Sequence, residues 1–225
     1  MIFNEHSNLI GTHAMFGASQ SSWLRYDLPK MVEKIHSSYR VILGTEIHEF
    51  AATQISLGHK LANPKSVREN LETYLYSKYY DDNTESISEY GKKILEEIAY
   101  LPKEVFGTTR VYIFDGVSFK MTPERPLVYS SYFYGTTDSI SFRDNKLRIH
   151  DLKTGSVAAH MEQLYIYAAL FCLEYNVKPT DIEMELRIYQ NNEIICDNPG
   201  ADTIMSIMNL IVKRDKELRK VMGEI

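Results

Sequence analysis

Asp138, Asp151 and Lys153 fall within YGTTDSISFRDNKLRIHDLKTG, Tyr134 to Gly155, where two alternating apolar runs flank Asp144-Asn145. That dipeptide is the only tight-turn signal between the runs, so a two-residue hairpin turn is expected there. Such a turn opposes Arg143 to Lys146, Phe142 to Leu147, Ile140 to Ile149 and, further along, Asp138 to Asp151. Side chains alternate across a strand, so Asp138, Ile140, Phe142, Leu147, Ile149, Asp151 and Lys153 share one face. Ser139, Ser141, Arg143, Lys146, Arg148 and His150 share the other, which reads as the wet face. Opposed Cβ atoms lie ~4.5 to 5.5 Å apart, and like charges so placed destabilise a sheet. A divalent cation would offset that repulsion: Mg²⁺ takes carboxylate oxygens and often only one or two of them. Lys153, next on the same face, is placed to pair with one carboxylate or to act on what the metal holds.

Three further residues fit the same constellation. In GTEIHEFAATQISLG, Thr45 is a possible helix cap, and Ile47, His48, Ala51, Ala52 and Ile55 share a helical face, so His48 points where apolar residues point. Gln163 and Tyr167, four apart on the next helix, project together from one side. Taken singly, a histidine on an apolar face is more often a hydrogen-bonded core residue, and an isolated D-x-K arises by chance. Joint occurrence is what turns these residues into a candidate site.

The elements that must position them read as follows. GASQSSWLRYD, Gly17 to Asp27, is expected to start a helix capped by a serine hydroxyl, with Trp23 in the core. From about 60 to 105 the chain turns helical and charged, as in a two-helix insertion. Strand signals follow in TRVYIFDGVSF (Thr109 to Phe119), in Leu127 to Phe142 and in Asn145 to Lys153. Ser156 to Tyr175 is apolar on nearly every side, as a helix covering a sheet must be. Asp181 to Gln190 alternates as a strand with one buried face, and a last helix spans about 201–222. The expected class is α/β (α+β), with one domain over 1–225.

Composition bounds the partners. The 225 residues are 44% apolar and 24% charged, ordinary for a globular domain. A net charge of −5 gives no global attraction for nucleic acid, although a basic strip or bound metal can offset it locally. The sixteen tyrosines suit either a core or base stacking. Cys172 and Cys196, expected to be reduced and buried, are too few for a four-thiolate zinc or iron–sulfur site. No apolar run approaches the ~20 residues of a membrane span, and no basic segment leads an apolar core after Met1. An intracellular, cytoplasmic protein with no membrane partner is expected.

The ordered set GTEIH (Gly44 to His48), GTTD (Gly135 to Asp138), HDLKTG (His150 to Gly155) and QLYIYAAL (Gln163 to Leu170) resembles the PD-(D/E)XK nucleases. Within that superfamily it is similar to the RecB-like and phage-type exonucleases, which include Cas4-like proteins. The resemblance covers about residues 44–190 and implies a restriction-endonuclease-like αβββαβ core with a mixed central sheet. It implies Mg²⁺ or Mn²⁺ on Asp138, Asp151, His48 and the Leu152 carbonyl, with Lys153 orienting or deprotonating the attacking water. Gln163 and Tyr167 match the Q-x-x-x-Y signature that positions DNA, and Glu46 is a further candidate beside the metal. The implied function is a metal-dependent DNA exonuclease, a phosphodiester hydrolase of phage-type recombination or replication in a bacterial host. Its partners would be DNA, a recombinase or single-strand-binding protein, or further copies of itself. A structure-specific endonuclease and a nucleic-acid-binding module with a vestigial site are the alternatives. The chain departs from Cas4-like relatives in lacking their four cysteines; Asp27 stands near where the first would be, so no iron–sulfur cluster is expected.

Overall fold

A computed structural model describes Phe16, residues 21–155 and residues 157–224. The Gly17 to Gln20 part of the expected capped helix lies outside the described residues. Ser21–Arg25 is a short 3-10 turn, with Trp23 only half-buried. The first long helix, α1, is Leu28–Leu57, and its cap is Asp27, which accepts from the Lys30 N–H at 2.9 Å, rather than a serine. Asp27 therefore has a helix-capping role. Thr45 is no cap but sits inside α1, which begins well before the apolar periodicity that signalled it. Gly58 ends α1 in the left-handed region at φ 70, where glycine carries no Cβ penalty.

Two helices follow: α2, Pro64–Lys78, opened by a reciprocal Asn63–Ser66 capping box, and α3, Glu89–Glu97, capped by Ser88. Between them β1 (Tyr80–Asp81) and β2 (Ser86–Ile87) form a minimal ladder. A 3-10 turn over Ile98–Tyr100 then leads to α4, Lys103–Ser118.

The α4 helix corrects the expected strand at Thr109 to Phe119. Valine, isoleucine and aromatic residues give that stretch a strand-like composition. The buried positions of α4, Val105, Phe106, Thr108, Thr109, Tyr112, Ile113 and Gly116, nevertheless recur at helical spacing. Gly116 is required by the packing, because a Cβ there would stand 2.5 Å from Cδ1 of Ile55 on α1.

The sheet proper is β3 (Thr122–Val128), β4 (Tyr134–Arg143), β5 (Lys146–Leu152), β6 (Glu183–Gln190) and β7 (Glu193–Asp197), in that spatial order. Only β5 and β6 run parallel, joined through α5, Glu162–Glu174. The succession α1, β3, β4, β5, α5, β6 is αβββαβ, and the protein is an α+β fold with a mixed five-stranded sheet flanked by helices. Neither β3 nor β7 is signalled by alternation. β3 contains Pro123 and Pro126, which its position at the sheet edge tolerates. β7 follows an Asn191-Asn192 turn with φ 52 and 61, a second hairpin of the kind seen at Asp144-Asn145, where φ is 52 and 57. Last comes α6, Ala201–Val221, packed against α5.

Both faces of the sheet are covered. Leu127, Ile140, Leu147, Ile149, Leu186 and Ile188 form one core with α5 and α6, while α1 to α4 build a second that takes in Leu152 and Tyr189. The face expected to be wet is therefore largely buried: Ser139, Ser141 and His150 are all shielded. Some of its polar atoms find partners on α4 and β6, while Ser141 Oγ and His150 Nε2 are buried without a hydrogen bond among the described residues. Tyr112 on α4 donates to Ser139 Oγ at 3.1 Å. The Tyr189 hydroxyl reaches His150 Nδ1 at 3.1 Å and Asp115 Oδ2 at 2.8 Å, and Arg187 pairs with Asp115 at 2.8 Å. Arg148 and Arg187 both lie over the Phe119 ring, 4.8 and 5.0 Å from its centroid. Burial, with Arg187 adding to it, pushes the His150 imidazole down to about 3. Of the cysteines, Cys172 is buried, which pushes its thiol up to about 11, whereas Cys196 on β7 is exposed, against expectation. Among the described residues no helix is long and apolar enough to cross a membrane.

Candidate active site

The hairpin register is the expected one, with Arg143 on Lys146, Phe142 on Leu147, Ile140 on Ile149 and Ser139 on His150. The next step along places Asp138 and Asp151 at the end of the ladder, on the α5 side. Asp138 Oδ2 accepts the Leu152 N–H at 2.8 Å and stands 3.2 Å from His48 Nδ1. Leu152 thus fixes Asp138 through its amide, a contact separate from the carbonyl that the resemblance implies for the metal. α1 brings His48 in from the other side of the sheet's end, one turn beyond Gly44, where helix and strand exit approach closely: a Cβ on Gly44 would lie 3.1 Å from Thr154 Oγ1.

Lys153 bridges the two halves. Its Nζ lies 2.9 Å from Asp151 Oδ2 and donates to Gln163 Oε1 at 3.1 Å. Gln163 Nε2 donates to the Tyr167 hydroxyl at 3.1 Å, and that hydroxyl donates to the Thr136 carbonyl at 2.7 Å. The chain of contacts ties α5 to β4 directly beside Asp138. Gly135 makes room for it, since a Cβ there would meet Tyr167 Cε1 at 2.8 Å. All the predicted side chains, His48, Asp138, Asp151, Lys153, Gln163 and Tyr167, thus gather at one end of the sheet. Glu46 does not: it is buried against α2, bonded to Lys78 Nζ and the Tyr79 hydroxyl, both at 2.7 Å.

Glu124 joins the site without having been read from the sequence. It lines the same cleft as His48 and Asp138, on an edge strand between two prolines, at a strained φ of 50. No alternation marks β3, so nothing local could have signalled it.

The electrostatics reflect crowded carboxyls. Asp151, only 2% exposed, is pushed up to about 6, first by burial and then by Asp138, while Lys153 pulls the other way. Burial and Asp138 likewise raise Glu124. Burial acts to lower His48, but Asp138, Asp151 and Glu124 together outweigh it and leave the imidazole raised.

As the side chains stand, no three His, Cys, Asp or Glu among the described residues are close enough to hold a metal ion. His48 is engaged with Asp138, and Asp151 with Lys153. The donor types nonetheless suit a hard divalent cation: two or three carboxyls and an imidazole, with two of the carboxyls raised by burial and by the charge of Asp138. Metal ligation would exchange those internal contacts for bonds to the ion.

The chain belongs to the DUF2800 family: the model for that family, described as a protein of unknown function, matches residues 13–193. No curated protein and no solved structure matches the chain.

Proposed function

We propose that this DUF2800 protein is a Mg²⁺- or Mn²⁺-dependent deoxyribonuclease that hydrolyses phosphodiester bonds from DNA ends. The observation carrying the reading is the meeting of Asp138, Asp151, Lys153 and His48 at one end of the β4–β5 hairpin. Asp151 and Glu124, raised by burial and by the charge of Asp138 at a cleft, carry a functional-site signature. His48, Asp138, Asp151 and Glu124 would hold the cation, together with the Leu152 carbonyl. A bound divalent ion supplies charge neutralisation at the phosphoryl oxygens and a water acidic enough to ionise near neutral pH.

The chain's own groups do the rest. Lys153 keeps its ammonium between Asp151 and Gln163, where it can orient the attacking water or neutralise charge developing on the phosphate. Gln163 and Tyr167 form a rigid polar edge against which the strand can lie. On this reading the enzyme works on DNA in a bacterial cytoplasm, beside a recombinase or single-strand-binding protein.

End-labelled linear DNA, single- and double-stranded, incubated with Mg²⁺, Mn²⁺ or chelator, tests it. Metal-dependent release of label is expected, with loss in Asp151→Ala and Lys153→Ala variants whose circular dichroism is unchanged. Undiminished cleavage by both variants in a metal-replete assay overturns the assignment. Cleavage of covalently closed circles would make the enzyme an endonuclease.

A further inference from the structure

We propose that the cleft beside His48 and Asp138 seats one unpaired nucleotide of a single-stranded DNA end, its base on Tyr100 and its phosphate on Arg40. The proposal rests on the nuclease reading and names the form of DNA that site takes.

The cleft measures about 770 Å³, within the range of small-molecule sites. His48, Glu49, Glu124 and Asp138 are its titratable lining on the metal-site elements. Another part of its wall is different in kind: Ile47, Leu101, Pro102 and the Tyr100 ring, with Arg40 also in the lining. Tyr100 is 64% exposed, an aromatic ring with most of its surface uncovered.

One buried carboxylate organises that wall. Glu97, at the end of α3 and only 3% exposed, pairs with His36 Nδ1 and stands 3.4 Å from Arg40 Nε. His36 in turn meets the Tyr100 ring edge-on, with centroids 5.9 Å apart. A cation and an aromatic ring are thus both braced at the cleft by a side chain whose burial would be costly without partners. The 60–105 segment, otherwise an appendage to the αβββαβ core, supplies Glu97, Tyr100 and Leu101 to this wall.

Charge and shape select the occupant. Arg40, held at Nε by Glu97 but with its side chain 55% exposed, keeps its outer guanidinium N–H groups as a forked donor for a phosphate. An apolar wall with an open tyrosine has nothing to bury against a duplex, whose bases are stacked inward and which presents phosphates and groove edges. An unpaired base exposes both faces, and stacking on an aromatic ring is tolerant of sequence. The depth of Asp151 favours the same substrate, since a flexible strand can be fed inward to a carboxyl that is 2% exposed.

Fluorescence anisotropy of the full chain in chelator tests this with three probes: a single-stranded oligonucleotide, the same strand carrying abasic sites, and a blunt duplex. Single strand should bind at least about tenfold tighter than duplex. Tyr100→Ala should weaken single-strand binding roughly 5- to 150-fold, the cost of one lost base stack, leave duplex and abasic binding nearly unchanged, and be rescued by Tyr100→Phe. Equal affinity for strand and duplex, or an equal loss on all three probes, overturns the proposal. Because binding is read without metal, the two readings fail separately. The expected binding pattern without hydrolysis in Mg²⁺ or Mn²⁺ supports the strand site and sinks the nuclease assignment. Hydrolysis with duplex bound as tightly as single strand does the reverse.

Discussion

Replacing Asp151 by asparagine should stabilise the metal-free protein, and the gain should grow with pH. Asp151 has its carboxyl raised from 3.8 to about 6 by burial and by Asp138. A folded-state pKa above the unfolded one means that the native state binds the proton more tightly. Its stabilising contribution is therefore full below about pH 4 and is lost as pH rises through about 6. A shift of about two units corresponds to roughly 3 kcal/mol of penalty above pH 7, and to about 1 kcal/mol at pH 4.5. The uncharged amide of the Asp151→Asn variant would escape that penalty but leave Lys153 without its charged partner, with only Gln163 beside it. Lys153 is 32% exposed and can turn to water, which takes back a part of the gain. A net stabilisation of about 2 kcal/mol at pH 8 is expected, several degrees in Tm for a chain of this size. Thermal unfolding in chelator, followed by far-ultraviolet circular dichroism at about pH 4.5 and pH 8, measures it. Added Mn²⁺ should raise the wild-type Tm through binding to the native state and raise that of Asp151→Asn much less. A variant no more stable than wild type at pH 8, or one whose gain is as large at pH 4.5, would refute the account of crowded carboxyls.

Two further outcomes follow from the surrounding packing. Gly135→Ala drives a Cβ to 2.8 Å from Tyr167, so the ring must move and its bond to the Thr136 carbonyl must lengthen; a cost of about 1 to 2 kcal/mol in urea denaturation is expected, with DNA cleavage reduced more than stability alone predicts. Asp115→Ala strips the acceptor shared by Arg187 and Tyr189, both well shielded, and should destabilise by about 2 kcal/mol or more without changing metal binding, checked by the same denaturation series and by Mn²⁺ calorimetry.

The hairpin was legible because its turn chemistry and its alternation agree. Asp144-Asn145 adopts positive φ at both turn positions, which fixes register, and register then decides which face every side chain takes. The strand misread at Thr109 to Phe119 had the opposite character: composition spoke for a strand, while burial followed helical spacing along α4. The wet face was a separate reading, made from the polar side chains Ser139, Ser141, Arg143, Lys146, Arg148 and His150. With α4 as a helix, Tyr112 reaches Ser139, Phe119 meets the His150 ring edge-on, and Asp115 holds the Tyr189 hydroxyl that touches His150. The edge strands were illegible for a different reason. β3 holds two prolines and β7 is mostly exposed, so neither shows the alternation that a half-buried strand needs.

The site itself was legible where residues conflict with their surroundings. A carboxylate on an apolar hairpin face and a histidine on an apolar helix face are unfavourable placements, and each marks a position that folding alone would fill differently. Asp138, Asp151 and His48 were found that way. Glu124 could not be, because a glutamate on an exposed-looking proline-flanked strand conflicts with nothing in the sequence. Its conflict exists only in three dimensions, at a strained φ and with burial and Asp138 raising its carboxyl. Tyr100 and Arg40 escape sequence reading for the same reason. An exposed tyrosine and an arginine are ordinary surface residues until a buried Glu97, 61 residues along the chain from His36, braces both at the mouth of one cleft. A conflict along the sequence locates a group such as Asp138 or His48, whereas a conflict or a contact that exists only between distant elements, as at Glu124 and Tyr100, emerges from packing.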